Sequence, residues 1–122
     1  MTDTNLPQSL NVPLAKLVDL CIEHWRLSTW LAGSPMAGRA PAAAHALRKW
    51  EDFLKSFELE TVSLDGRPHD AGLAATVIDT VDEPTLPHGQ TVVIETLSPI
   101  VLWRGQVVKT AEVVTGRGTA GQ

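Results

Sequence analysis

The chain has 122 residues, 43% of them apolar and 20% charged, with a net charge of −4. That balance fits one modest globular core and excludes global disorder. Its 10 Lys and Arg residues are scattered, which argues against both a phosphate-neutralising nucleic-acid surface and a polybasic membrane patch.

Residues 1–12 are polar, with Pro7, and read as a flexible lead-in. A helix is expected from there: Asn11 is a candidate cap, and Pro13 is tolerated in a first turn. Leu14, Leu17, Val18, Cys21, Ile22 and Trp25 follow at helical spacing on one face. Trp30 and Leu31 lie near its end, and Gly33 is a natural stop. Gly33 to Gly38 reads as a loop. A second helix opens near Pro41 and runs to about Phe57. Its apolar seam is Ala43, Leu47, Trp50, Leu54 and Phe57, with Phe53 beside it. Arg48–Asp52 and Glu51–Lys55 are candidate i,i+4 ion pairs. The short link predicts an antiparallel helix pair over 13–57. Apolar surface is left over on that pair and must meet the rest of the chain or a second copy.

From 58 to 115 the pattern is β. Thr61 to Leu64 reads as a short strand ending at the Asp65-Gly66 turn, and Thr76 to Val81 as a second. Asp82 to Gly89 reads as a loop, and Gln90 to Leu97 as a strand. Ile100–Trp103 and Val107–Val114 flank Arg104-Gly105-Gln106 as a hairpin. Residues 116–122 are Gly/Thr-rich and read as a flexible tail. The predicted fold is therefore α+β, an N-terminal antiparallel helix pair followed by a small all-β head of short strands.

Catalytic chemistry is sparse. His24, His45, His69 and His88 fall in no metal-ligand spacing, so neither a metal nor a cofactor is expected. His24 flanks the apolar stripe of the first helix and reads as a surface residue. His69-Asp70 are neighbours in sequence, but a triad also needs a nucleophile within reach. Asp79, Asp82 and Glu83 lie near a strand end and its loop, where they could pair for acid–base work, but they read as solvated. Cys21 sits on the predicted buried face and reads as a core residue, not a reactive thiol. As the single cysteine it forms no internal disulfide, which suits a reducing compartment. No signal-peptide pattern or bilayer-length apolar run is present, so a cytoplasmic binding protein is expected, not an enzyme.

Three segments carry a family resemblance. Gly66-Arg67-Pro68-His69-Asp70-Ala71-Gly72-Leu73 resembles a Gly-x-Pro-Phe-Asp-Pro-x-Leu stretch, with Gly66, Pro68, Asp70 and Leu73 in register. Pro87 to Val93 resembles a Pro-Gly-x-Val turn into a strand, with one residue inserted. Val101 to Val113 resembles a closing hairpin, Tyr-x-Leu-x-Gly-Arg-x-Leu-Arg-x-Ala-x-Val, with Gly105, Ala111 and Val113 at their namesakes. These motifs, in this order, are similar to the β head of GrpE, the nucleotide exchange factor of DnaK-type chaperones. His69 stands at the family's Phe, Ala74 and Ala75 at its His-Glu, Ile100-Val101 at its Gly-Tyr, and Gln106 at an Arg. Only about a dozen residues precede the first helix, so the family's long stalk helix is not expected.

The resemblance implies a co-chaperone that binds the ATPase domain of a DnaK-type chaperone and promotes ADP release. It implies partner contacts at Leu97, Pro99, Ile100, Val101, Trp103, Arg104, Gln106 and Lys109. Trp103 admits a second role, pinning the hairpin to the helices. A homodimer through Leu14, Leu17, Val18, Trp25, Leu47, Trp50 and Leu54 is expected from the surplus seam and the family habit. No nucleic-acid or membrane partner is expected. Two rivals are a GrpE-fold adaptor that no longer drives exchange and a small enzyme built on His69 and Asp70.

Overall fold

Pro13, with φ −58° and ψ 141°, sits at the boundary where helix α1 (Leu14–Gly33) begins. Asn11 is two residues too early to cap it, and no side chain does. Ser34 closes the helix, its N–H and hydroxyl both donating to the Leu31 carbonyl at 3.2 and 2.9 Å. Helix α2 (Pro41–Ser56) starts with proline at its first position, where no backbone N–H is needed. Its end turns through Glu58, at φ 63°. Phe57 N–H donates to Leu54 O and Glu58 N–H to Lys55 O, at 3.1 and 2.8 Å. Glu51 and Lys55 pair at 3.3 Å. Arg48 and Asp52, both exposed, do not pair, since two mobile side chains in water gain little from doing so.

The computed structural model describes residues 8–121. The expected lead-in falls largely at 1–7, outside the described residues, as does Gln122. The fold is α+β, two helices followed by small sheets of short strands. The strands are β1 (Leu59–Val62), β2 (Ala75–Pro87), β3 (Thr91–Ser98), β4 (Ile100–Trp103), β5 (Gln106–Lys109) and β6 (Ala111–Ala120). They form two three-stranded sheets, ordered β1-β4-β5 and β2-β6-β3. β6 runs antiparallel to β3 and parallel to β2.

Two clusters make the core. Val18, Cys21, Ile22, Leu54, Leu59 and Val101 join the helices to the first sheet. Leu64, Val93, Ile100, Ala111 and Val113 join that sheet to the second. Successive strand residues point to opposite faces, so Ile100 and Val101 enter different clusters and β4 walls one core from the other. Polar groups at this boundary are satisfied. Thr96 Oγ1 accepts the Leu64 N–H at 3.1 Å, and Asp65 accepts the Thr96 N–H at 2.7 Å.

Three expectations are corrected here. The loop expected at 82–89 is strand as far as Pro87. β2 is an edge strand, which tolerates Pro84 and Pro87, and its register shifts between Glu83 and Pro87. The single strand expected at Val107–Val114 is broken at Thr110, where the chain leaves one sheet for the other. The tail expected at 116–122 is strand through Ala120. Gly116 and Gly118 are buried between β2 and β3, where a larger residue has no room.

Cys21 lies in the first cluster, 1% exposed, and burial pushes its thiol pKa up. A raised thiol pKa means the native state holds its proton longer than the unfolded chain. The contribution is fully present below the unfolded thiol's pKa and is lost as pH rises through the folded value. A disulfide reagent is therefore expected to label Cys21 at least about a hundredfold more slowly in the native protein than in urea. Equal rates would contradict its burial.

Candidate partner-binding surface

The β4–β5 turn is tight because Arg104 and Gly105 both take positive φ, 52° and 79°. That is the pattern of a type I′ hairpin turn, whose first position usually holds Asn, Asp or Gly. Arg104 is held there by what it touches. Its backbone N–H donates to Glu58 O at 3.0 Å, and its Nε to Glu58 Oε2 at 2.9 Å. Its guanidinium lies 4.5 Å from the centroid of the Trp103 ring. Trp103 Nε1 donates to Phe57 O at 3.1 Å.

The register explains the meeting. Leu59 lies opposite Trp103, so the residues just beyond them, Glu58 and Arg104, fall together. The two non-glycine residues with positive φ among the described residues are thus bound to each other. Both side chains are more than half exposed, so the ion pair contributes no more than about 1 kcal/mol. Its main effect is orientation: it fixes the hairpin tip against the exit of α2.

Beside this clip lies a groove of about 460 Å³, lined by Leu14, Leu17, Phe53, Phe57 and Trp103. Phe53 and Phe57 are edge to face at 5.1 Å and both are exposed. Arg104 and Glu58 stand on the rim.

The expected contact residues divide. Arg104, Gln106 and Lys109 are exposed, and Trp103 and Leu97 are half-buried. Pro99, Ile100 and Val101 are buried and are corrected as contacts, because β4 is the central strand of its sheet with a core on each face. Trp103 packs on the first cluster and also borders the groove. Val107 and Val108 on β5 are exposed and were not expected as contacts. Their apolar run reads as buried strand until the topology places β5 at an edge.

The expected dimer residues divide too. Val18 and Leu54 lie in the chain's own core, so they are corrected as dimer contacts. The first sheet covers the seam they belong to. Leu14, Leu17 and Trp50 pack around the same cluster, and Trp25 and Leu47 are half-buried. Besides the groove at Phe53 and Phe57, apolar surface stays open at the far end of the pair. There Leu27, Trp30, Leu31, Ala43, Leu47 and Trp50 line a shallow groove of about 230 Å³. Trp30 is 64% exposed.

His24 is corrected from surface to buried, at 7% exposure. Its Nε2–H donates to Leu47 O at 2.9 Å, and its ring meets Trp50 edge-on at 5.4 Å. It therefore links α1 to α2. Asp70 Oδ1 accepts the Gly72 N–H at 2.8 Å, closing a local turn. Among the described residues no cluster of three His, Cys, Asp or Glu is placed to hold a metal ion. Nor is any helix among them long and apolar enough to cross a membrane. No protein-family model matches the sequence, and no curated protein matches it.

Proposed function

We infer that this chain is a GrpE-like co-chaperone that binds the ATPase domain of a DnaK-type chaperone and promotes ADP release. One observation carries the reading. After a helix pair, the Pro87–Val93 segment turns into β3 and the closing Val101–Val113 segment forms β4, β5 and the start of β6, presenting the exposed turn and strand at Arg104–Lys109, while Gly66–Leu73 is a turn segment bridged to β3 at Pro68. Arg104, Gln106 and Lys109, with Val107 and Val108 between them, make the contact, and Trp103 anchors the turn. The protein makes and breaks no bond. It binds the open nucleotide cleft more tightly than the closed one and shifts the population by that difference.

The test is release of a fluorescent ADP analogue from a DnaK-type ATPase of the same organism. Arg104→Asn separates contact from fold, because Asn tolerates positive φ at a type I′ turn. Stability is expected to stay within about 1 kcal/mol of the parent, since only an exposed ion pair and stacking are lost. Stimulation of release is expected to fall about tenfold, as for loss of an interface arginine. A parent protein that leaves release unchanged overturns the exchange reading. That outcome favours the adaptor reading, which Ala74-Ala75 and Ile100-Val101, standing where the family has His-Glu and Gly-Tyr, also favour.

The open groove at Leu27 and Trp30 supports a homodimer through the far end of the helix pair. A light-scattering mass of two chains at tens of micromolar is expected for the parent. Trp30→Lys is expected to return one chain, because a charge would have to be buried at the interface. A parent mass of one chain removes the dimer.

A further inference from the structure

The second sheet has two edges, and they are treated differently. The outer edge of β3 is covered by the segment after β1. Gly66 N–H donates to Val93 O, Val93 N–H to Arg67 O and His69 N–H to Thr91 O, at 2.8, 2.8 and 3.0 Å. The outer edge of β2 pairs with no strand among the described residues. β2 is also the longest strand, with 13 residues. An uncovered edge is a row of backbone donors and acceptors ready for another strand.

β2 is apolar where it is open. Val77, Ile78 and Val81 are exposed, Ile78 by 53%. A register shift between Val77 and Asp79 leaves Ile78 as the extra residue of a bulge. Ala75–Val81 contains no proline, whereas Pro84 and Pro87 close the far end to pairing.

The charge of the strand selects its occupant. β2 carries Asp79, Asp82 and Glu83 and neither Lys nor Arg. Thr85 donates to the Glu83 carboxylate through N–H and hydroxyl, which holds its pKa below the usual carboxylate range. Asp82 has a cation 3.6 Å away, Arg117, but both side chains are largely exposed. A second copy pairing edge to edge would bring together two strands whose charged residues are all acidic, which is unfavourable. A cationic strand meets no such penalty.

We propose that the outer edge of β2, over Ala75–Val81, is a strand-addition site for an extended basic segment of a partner protein, with apolar residues alternating with Lys or Arg. Main-chain hydrogen bonds supply affinity, and alternate side chains supply selectivity. By the register with β6, Val77, Thr80 and Asp82 share one face and Asp79, Val81 and Glu83 the other, so the partner's apolar side chains lie on the face of Val77 and its cations on the face of Asp79. This site lies apart from the β4–β5 turn and does not depend on the exchange function.

The probe is a fluorescein-labelled, capped heptapeptide of alternating Val and Lys, titrated into the full chain by anisotropy. Amide hydrogen exchange is followed on the same complex. Binding is expected, with slowed exchange confined to β2. A peptide of the same sequence N-methylated along its backbone, and a Val/Glu peptide, are each expected to bind more than about tenfold more weakly. A D79N variant, with thermal unfolding unchanged, is expected to lose about fivefold in affinity for the Val/Lys peptide. Equal binding of the N-methylated peptide overturns the proposal in favour of loose electrostatic adhesion. Protection on β5 instead of β2, self-association through β2, or no binding of the Val/Lys peptide also overturns it.

Discussion

Leu59→Ala is expected to lower the unfolding free energy by about 3 kcal/mol, within the range for leucine truncation in a core. Leu59 is 2% exposed and opens β1, directly after the turn out of α2. It packs among Val18, Cys21, Ile22, Leu54 and Val101, so it touches both helices and the central strand of the first sheet. The truncated site cannot collapse easily, because residues from three separate elements surround it. A domain of this size has roughly 5–15 kcal/mol in total, so the loss is a large share of its stability. The melting temperature is expected to fall by about 10 °C. Urea unfolding followed by tryptophan fluorescence measures it, with an unchanged slope showing that the unfolded state is the same. Leu10→Ala is the control: Leu10 is 82% exposed, and its truncation is expected to stay within about 0.5 kcal/mol. A Leu59→Ala loss below about 1 kcal/mol would mean that the helix pair does not rest on β1.

Gly118→Ala is expected to cost about 2–3 kcal/mol, in the range for overpacking a tight site. A Cβ at Gly118 would fall on the Pro87 carbonyl oxygen, 2.7 Å from its carbon and 2.8 Å from Leu86 O. These are backbone atoms of β2 and cannot rotate away. The same glycine donates its N–H to Gln90 O at 2.7 Å and accepts from Gly89 N–H at 3.2 Å, so its backbone is fixed on the other side as well. Gly116→Ala makes the comparison. Its Cβ would meet Ile94 Cγ2 at 2.9 Å and Glu83 Cβ at 3.3 Å. The Ile94 side chain is exposed and free to turn, so the cost is expected to be under about 1 kcal/mol. Urea unfolding of the two variants, with exchange of the β2 and β6 amides, separates them. If the end of the chain were a flexible tail, both substitutions would be silent.

The residues near the hairpin show where sequence reading stops. Ile100 and Val101 are apolar, β-branched and next to a turn, which marks a strand. Nothing local says that this strand is central, with one core on each face, instead of lying at a docking edge. The same holds for Val107 and Val108, whose apolar character reads as burial although β5 lies at an edge. His24 sits beside the helical stripe at a position that periodicity leaves ambiguous. It becomes a buried link only because α2 brings the Leu47 carbonyl to its Nε2.

Short-range order was legible in the chain itself. Helical spacing marked the face that holds Val18, Cys21 and Ile22, Pro13 and Pro41 marked the helix starts and Gly33 the end of the first, and the switch from helical to β patterning set the α+β class. These depend on residues three or four apart, or on single backbone preferences. Which strand became wall, edge or tail depended on pairings across tens of residues. Leu59 opposite Trp103 and Pro87 opposite Ala120 are such pairings. Only the tertiary structure decided them, because the free energy of a strand pair lies in its partner as much as in its own sequence.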